Sequence, residues 1–442
     1  MTRRSTALAL ARALLAGPPD PQGLQERVRR CVESESAWSG RFARAAAQMA
    51  PERWNVLDLT LLTDWIEAQP DFVMAWAGPQ RPVVRGYYTS LATRLAEPPL
   101  PLARLERPHW PAIGDLAAGL GVSVAGLWRL TRSTAWQRQA SLGEQHYRYH
   151  LLPRRSGGWR LLEVPQPYLR ALQRKVLDQL LAGLAPHEAA CAYVRGRSVL
   201  DHARAHAGQP VLLKFDLQDF FATVRAARVH ALFATLGYSP AVARELRALC
   251  TTATPEPVLE RLRHDGGLTW AQAQRLRDAH LPQGAPTSAA LANLCAFGLD
   301  LRIAGLARAL GARYTRYADD IVLSGGPALR DALPRIESQI GAWAREAGFA
   351  LNHRKTRCLA AARRQQVCGV VVNARPNLAR DEFDRLKAIL HRCVLHGPAS
   401  QNRAAIAHWP DHLRGRVAWV AQINPAKAQR LQRLLECIDW TR

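Results

Sequence analysis

The sequence predicts an α+β protein, an antiparallel sheet framed by helices that follows a mostly helical N-terminal extension. Three observations predict it. Short apolar runs with period-two alternation are joined by tight turns at 147–165 and 313–323, with a further run at 211–217, the pattern of paired strands. Between and after these runs, apolar residues recur at i, i+3 and i+4, the pattern of amphipathic helices. The first 105 residues carry tryptophans in a helical texture that ends at Glu97-Pro98-Pro99-Leu100-Pro101, a proline-rich break that reads as a linker.

Taken in order, Ile113 to Thr131 holds two short helical patterns split at Gly119-Leu120-Gly121, with Asp115 as a capping residue. Tyr147–Pro153 and Trp159–Pro165 alternate as strands around a Ser156-Gly157-Gly158 turn, a hairpin. Leu169 to Leu184 places Leu169, Leu172, Val176, Leu177 and Leu180 on one helical face. In Val211–Leu217, period two puts Lys214 and Asp216 on one face and Val211, Leu213 and Phe215 on the other. Pro286 opens a single helix through Leu310, with Leu291, Cys295, Leu299 and Ile303 at i, i+4 steps. Arg313 to Leu323 is strand, turn, strand around Ala318-Asp319-Asp320, and the last 60 residues are mostly helical and basic.

The formal net charge is +24, with a pI near 10.8, an electrostatic invitation to a polyanion such as nucleic acid. Only five lysines occur, so nearly all the positive charge is arginine. A GC-rich genome explains arginine over lysine, but not the excess of base over acid. The eight cysteines show no C-x-x-C and no zinc spacing, and read as reduced core residues of a cytoplasmic protein. No stretch of 18 or more apolar residues exists, so no membrane span is expected. Arg12 interrupts the apolar run at the start, so no export signal is expected either.

Aspartate is depleted in strands. Asp216 near the end of an apolar strand, and Asp319-Asp320 at the apex of an apolar hairpin, therefore need a reason. A turn is one, since aspartate favours turns. A divalent metal is the other. Mg²⁺ takes hard oxygen ligands and binds through a few carboxylates plus substrate phosphates, and a pair of ions can activate a 3′-hydroxyl and stabilise leaving pyrophosphate.

The remaining motifs favour the metal. Phe215-Asp216-Leu217-Gln218-Asp219-Phe220-Phe221, Leu281-Pro282-Gln283-Gly284-Ala285-Pro286-Thr287-Ser288, Arg316-Tyr317-Ala318-Asp319-Asp320, Gly348–Thr356 and Val367–Asn373 resemble, in chain order, the five palm motifs of reverse transcriptases. The resemblance spans about 146 to 440. It implies a right-hand polymerase fold, with fingers and palm over 106–377 and a helical thumb over 378–442, behind the 1–105 extension. It implies an RNA-directed DNA polymerase acting on an RNA template, dNTPs and nascent DNA. Asp216 and Asp319 would bind both of two Mg²⁺ ions, for which Mn²⁺ can substitute, and Asp320 would assist. Phe221 matches the steric gate whose ring collides with a ribose 2′-hydroxyl. Gln283-Gly284 would let the backbone approach the nascent base pair. Lys355 resembles the lysine that protonates pyrophosphate, and Arg160, with Arg154 or Arg155, would clamp the triphosphate. Asp219 reads as structural or helix-capping.

Within that family the sequence is most similar to bacterial retron reverse transcriptases. Ala192–Ser198 followed by His202-Ala203-Arg204-Ala205-His206 resembles the retron Asn-Ala-x-x-His region, with His202 in place of Asn. Val367-Cys368-Gly369 resembles the retron Val-Thr-Gly element, with Cys368 in place of Thr. Leu413–Val420 and Ile423-Asn424-Pro425 resemble the thumb. The resemblance implies recognition of a structured non-coding RNA, priming from the 2′-hydroxyl of an internal guanosine, branched multicopy single-stranded DNA as product, and an antiphage defence system with an effector protein. RNA contacts are expected at His202 and His206 and, on the thumb, at Arg414 and Arg416. The extension reads as an RNA-binding or partner-docking segment whose tryptophans are core. His202 and His206, four apart on a helix, also have the spacing of a metal pair, but no third ligand is evident. The alternatives are a group II intron-like, diversity-generating or non-retron defence reverse transcriptase, or a catalytically idle RNA-binding scaffold. An intron enzyme would carry a maturase extension after the thumb, whereas the sequence stops at Arg442; intact Asp216, Asp319 and Asp320 argue against the scaffold.

Overall fold

The computed structural model describes residues 2–16, 20–33, 37–49, 59–79, 81–86, 105–141, 143–153, 159–265 and 268–441. The linker at 97–101, the turn at 156–158, and Arg154 and Arg155 lie outside the described residues. The chain folds into two compact units, each discontinuous in sequence: 1–184 with 226–287, and 185–225 with 288–442. Neither division falls at 105 or 377. Contacts gather the N-terminal helices with 106–184 and 226–287, and the 378–442 helices with the sheet.

In the first unit, helices Arg3–Leu15, Pro21–Cys31, Ala37–Ala47, Leu59–Ala68 and Pro70–Ala77, with the short strands β1 (Val32–Glu33) and β2 (Val83–Val84), enclose their own core. Leu10, Leu14, Leu24, Val28, Phe42, Leu62, Ile66 and Phe72 are fully buried there. Trp38 packs against Phe42 with ring centroids 5.9 Å apart, and Trp65 and Trp76 line the same core, so these tryptophans are packing residues. Helices Ile113–Leu120 and Val124–Leu130 meet at Gly121, whose φ of 71° is the left-handed helix stop that glycine takes most cheaply. The Asp115 carboxylate accepts the Ala112 N–H at 3.0 Å and closes the first of them. Strands β3 (Tyr147–Pro153) and β4 (Trp159–Pro165) pair antiparallel in the register Tyr147↔Pro165.

In the second unit, β5 (Val211–Asp216), β6 (Arg313–Tyr317), β7 (Asp320–Gly325) and β8 (Arg357–Ala360) form one antiparallel sheet in the order β6-β7-β5-β8. Leu212 of β5 and Val322 of β7 pack with Leu200, Ala203, Val367, Val370 and Val372. Leu213, Phe215, Ile321 and Leu323 are buried too, and strand alternation puts them on the opposite face. The sheet is therefore covered on both sides, which explains why β5 and β7 read as almost continuous apolar runs. The expected single helix from Pro286 to Leu310 is two, Ser288–Cys295 and Phe297–Ala309, bent by 49° at Ala296. Strands β9 (Gln366–Val367) and β10 (Val370–Val371) close on a two-residue loop in which Cys368 and Gly369 both have positive φ, 46° and 87°, the geometry that suits the right-handed twist of a hairpin. Helices Arg380–His396, Trp409–Ile423 and Pro425–Glu436 share a separate core around Leu386, Leu390, Leu413 and Leu431. No single helix among the described residues is long and apolar enough to cross a membrane.

Candidate active site

Strand pairing brings the three aspartates together. Asp216 ends β5 directly opposite Asp320, the first residue of β7. Tyr317 and Asp320 close a two-residue hairpin loop, so Asp319 stands at its tip. The Leu217 N–H donates to the Asp319 carbonyl at 2.9 Å, tying the tip to the end of β5. Ala318 has a φ of 56°, a region that residues other than glycine enter rarely, and the loop is held there by a side chain. The Arg316 guanidinium donates to the Ala318 carbonyl at 3.0 Å, to Asn293 Oδ1 at 3.1 Å and to both Asp300 oxygens at 2.7 and 2.6 Å. Arg316 and Asp300 are both fully buried. The helix break at Ala296 separates the helix that carries Asn293 from the one that carries Asp300.

Lys355 reaches the same place by main-chain hydrogen bonds. The Gln218 N–H donates to the Ala350 carbonyl and the Asn352 N–H to the Asp216 carbonyl, each at 2.8 Å. That fixes the segment beyond the end of β5, and Lys355 Nζ donates to Asp216 Oδ1 at 2.8 Å. The Cys368 thiol donates to Asp320 Oδ2 at 3.5 Å; burial, reinforced by the Asp320 charge, pushes that thiol up to about 12. Phe221 is half-buried, and Asp219, with a φ of 44°, heads the turn between it and β5.

Arg160, Gln283 and Gly284 belong to the first unit. Arg160 is exposed on β4, opposite Leu152. The Glu163 N–H donates to the Gln283 carbonyl at 2.9 Å, and a Cβ on Gly284 (φ 138°) would lie 3.0 Å from the Glu163 carbonyl oxygen. Only glycine therefore lets this loop run so close to β4. Beneath it the fully buried Glu163 carboxylate accepts from Thr254 Oγ1 at 2.7 Å and meets His280 Nε2 at 2.9 Å.

His202 and His206 are a correction. Expected as RNA contacts, both have no exposed surface. They share a helix face, as their spacing requires, but that face packs on the sheet. Both rings hydrogen-bond the Thr315 hydroxyl, and His206 Nδ1 also bonds Ser324 Oγ at 2.7 Å. A hydroxyl can donate to one imidazole while accepting from the other. His202 also packs against the Tyr317 ring, centroids 5.8 Å apart. The pair braces the β6–β7 hairpin on the sheet face that Asp216 and Asp320 share and, being buried, offers nothing to a nucleic acid. In the helix Trp409–Ile423, Arg414 is exposed and paired with Asp411 at 2.9 Å. Arg416 is half-buried, lining a cavity of about 410 Å³ with Glu382, His412 and Trp419.

Residues 152–372 match the family described as reverse transcriptase (RNA-dependent DNA polymerase). The retron Mx65 reverse transcriptase of Myxococcus xanthus is 39% identical over 340 residues, covering 75% of this chain and 73% of that protein. The chain belongs to the retron-type reverse transcriptases. Two further members are similar to it: the Mx162 enzyme of Myxococcus xanthus, 34% identical over 71% of this chain and 64% of that one, and the Ec86 enzyme of Escherichia coli, 28% identical over 64% and 79%.

As a reverse transcriptase the protein is an RNA-directed DNA polymerase that works with an RNA template, dNTPs and divalent metal. The aspartates fit such a cation. Burial, then the charge of Asp216, pushes Asp319 up to about 6, with Asp320 adding to the rise and Lys355 opposing it; a bound cation would relieve that crowding of like charge. Among the described residues no three His, Cys, Asp or Glu side chains enclose an ion by themselves. An open carboxylate rim suits a metal that completes its shell with water and substrate phosphates.

Asp300 escaped the sequence reading, as did the polar groups that brace the hairpin. The available signal for Asp300 was a lone acid between Leu299 and Leu301 in an apolar helix. The buried histidines of this reverse transcriptase carry a pH prediction. Burial, with the charges of His206 and Lys214 on one and of Arg313 on the other, lowers both His202 and His206 to about 3. Their folded forms stay neutral while the unfolded chain protonates near pH 6.5, so stability is complete above about pH 6.5 and falls as pH drops towards 3. Each histidine is expected to cost about 1.4 kcal/mol per pH unit in that window. Urea midpoints between pH 7 and 4 should fall more steeply for wild type than for a His202→Asn/His206→Gln variant; equal slopes would refute the assignment.

Proposed function

We propose that this reverse transcriptase copies a structured non-coding RNA by a two-metal mechanism, starting from the 2′-hydroxyl of an internal guanosine and producing branched multicopy single-stranded DNA. The observation that carries the polymerase chemistry is the register that sets Asp216 opposite Asp320, with Asp319 at the adjoining hairpin tip. Asp216 and Asp319 would each hold both of two Mg²⁺ ions, or Mn²⁺ in their place, with Asp320 assisting. Bound there, the ions supply activation of the attacking hydroxyl and charge stabilisation of the leaving pyrophosphate.

The protein's own residues do the rest. Lys355, already beside Asp216, exchanges that carboxylate for the pyrophosphate and gives it a proton. Phe221 excludes the 2′-hydroxyl of ribonucleotides. Gln283 and Gly284 present bare backbone to the nascent base pair, and Arg160 contacts the triphosphate. Residues 106–377 act as fingers and palm, and 378–442 as a thumb whose Arg414 and Arg416 contact the RNA. The 1–105 extension docks RNA or a partner. With His202 and His206 buried, the exposed Arg195 and Arg197 ahead of them take over the RNA contact expected of that region. Similarity to the Mx65, Mx162 and Ec86 retron enzymes supports the RNA and product, and an antiphage defence role with an effector protein in the cytoplasm completes the proposal.

Cells expressing the gene with its flanking non-coding RNA are expected to contain a short single-stranded DNA whose mobility shifts after RNase and debranching treatment. A DNA that shifts with neither would leave the polymerase standing and remove the branched product.

A further inference from the structure

Four aromatic rings stand in file in the second unit. Phe349 stacks on Phe220 at 5.4 Å and 19°, Phe220 meets Phe221 edge-on at 5.5 Å, and Phe221 meets Tyr193 at 6.1 Å. Phe349 and Phe220 are buried and Phe221 is half-buried, while Tyr193 is 56% exposed. Centroid separations of this size are those of attractive ring pairs. The file thus runs from the core to solvent and ends on a large ring.

That last ring is held by an unusual backbone. Tyr193 has a φ of 61°, a left-handed conformation that bulky residues avoid. The chain before it is clamped to β6 and a neighbouring helix. Arg316 N–H donates to the Ala189 carbonyl at 2.7 Å, Cys191 N–H to the Arg316 carbonyl at 2.8 Å, and Asn293 Nδ2 to the Ala192 carbonyl at 2.8 Å. The chain after it turns at Gly196, φ 77°, into the capping box formed by Ser198 and Asp201. A strained backbone anchored on both sides holds the Tyr193 ring against Phe221.

We propose that Tyr193 is a positioning residue for sugar selection: its ring packs on Phe221, which Phe220 also contacts, and makes the steric gate a two-ring wall. This rests on the reading of Phe221 as the gate. A gate discriminates only as far as it resists displacement. Phe220, itself buried, supports Phe221, and a half-buried phenylalanine with no second support could rotate aside to admit a 2′-hydroxyl. Tyr193 removes that escape. The strain at φ 61° has its reason in this placement, because a relaxed backbone would carry the ring elsewhere.

The test compares kcat/KM for a dNTP with that for the matching rNTP in single-nucleotide extension of a primer on RNA. Wild type, Phe221→Ala, Tyr193→Phe, Tyr193→Gly and the Phe221→Ala/Tyr193→Gly double variant are measured. Glycine is chosen because it accepts φ 61° without strain; Tyr193→Asn, which also tolerates that conformation, is the second variant should the glycine form fail to fold. Phe221→Ala is expected to lose about 100-fold or more of the discrimination, and Tyr193→Gly about tenfold. Tyr193→Phe should retain it, and the double variant should match Phe221→Ala because Tyr193 acts through Phe221. Wild-type discrimination in Tyr193→Gly beside a permissive Phe221→Ala overturns the proposal and leaves the gate. Unchanged discrimination in Phe221→Ala removes the gate itself, and the proposal with it.

Discussion

Asp319→Asn is expected to abolish primer extension, by about 10³-fold or more given the charge stabilisation that two-metal sites supply, while leaving the fold intact. Asparagine has the same shape, and the backbone contact that places the loop, Leu217 N–H to the Asp319 carbonyl, does not involve the side chain. Burial and Asp216 already destabilise the Asp319 carboxylate. Removing that charge should therefore keep or raise the thermal midpoint of the metal-free protein. The pair of results, activity lost and stability kept, separates a metal-binding carboxylate from a structural turn residue. Extension of an RNA-templated DNA primer at the wild-type rate would sink the assignment, and so would a midpoint that collapsed along with activity.

Asp300→Ala is expected to do the reverse, lowering stability by about 3–5 kcal/mol, the cost of stranding one member of a buried ion pair. Arg316 would be left fully buried with no carboxylate to pair it, keeping its hydrogen bonds to Asn293 and the Ala318 carbonyl, and Tyr314 would lose the carboxylate to which its hydroxyl donates at 2.6 Å. On the proposed role of Asp319 and Asp320, activity should fall too, since Arg316 is the side chain that holds Ala318 in their turn. An Asp300→Leu/Arg316→Met pair distinguishes the two effects. Replacing a whole buried ion pair by apolar groups of similar volume is often close to neutral, so most of the stability should return, whereas activity should not, because the Ala318 carbonyl stays unheld. Chemical denaturation read beside extension rates decides it; a fully active double variant would show that Arg316 serves packing alone.

The meeting of the three aspartates was legible in the sequence alone. An aspartate at the end of an apolar strand and two more at a hairpin apex lie outside the usual composition of strands, and period two predicts the face of Asp216 correctly. Gly284 stood out as a residue without a Cβ, but the close neighbour that the fold gives it is the Glu163 carbonyl of β4, which no local pattern names. The burial of His202 and His206 was not legible. Their i, i+4 spacing says that they share a helix face and says nothing of what covers it. Thr315 and Ser324, more than a hundred residues away along the chain, turn that face into core. The break at Ala296 in the helix expected to run to Leu310 was not legible either, because apolar periodicity continues across Ala296 and nothing in it records a bend.

The sequence by itself determined the chemistry: which residues are acidic where acid is costly, in which order the polymerase motifs follow, and that the chain is a reverse transcriptase of the retron type. These are properties of local pattern, and local pattern survives without a partner. Only the tertiary structure decided which of the polar residues face a substrate and which brace the residues that do. Burial belongs to a pair of surfaces, and Asp300 with Arg316, or Thr315 with its two histidines, acquires its role only when distant segments close over it.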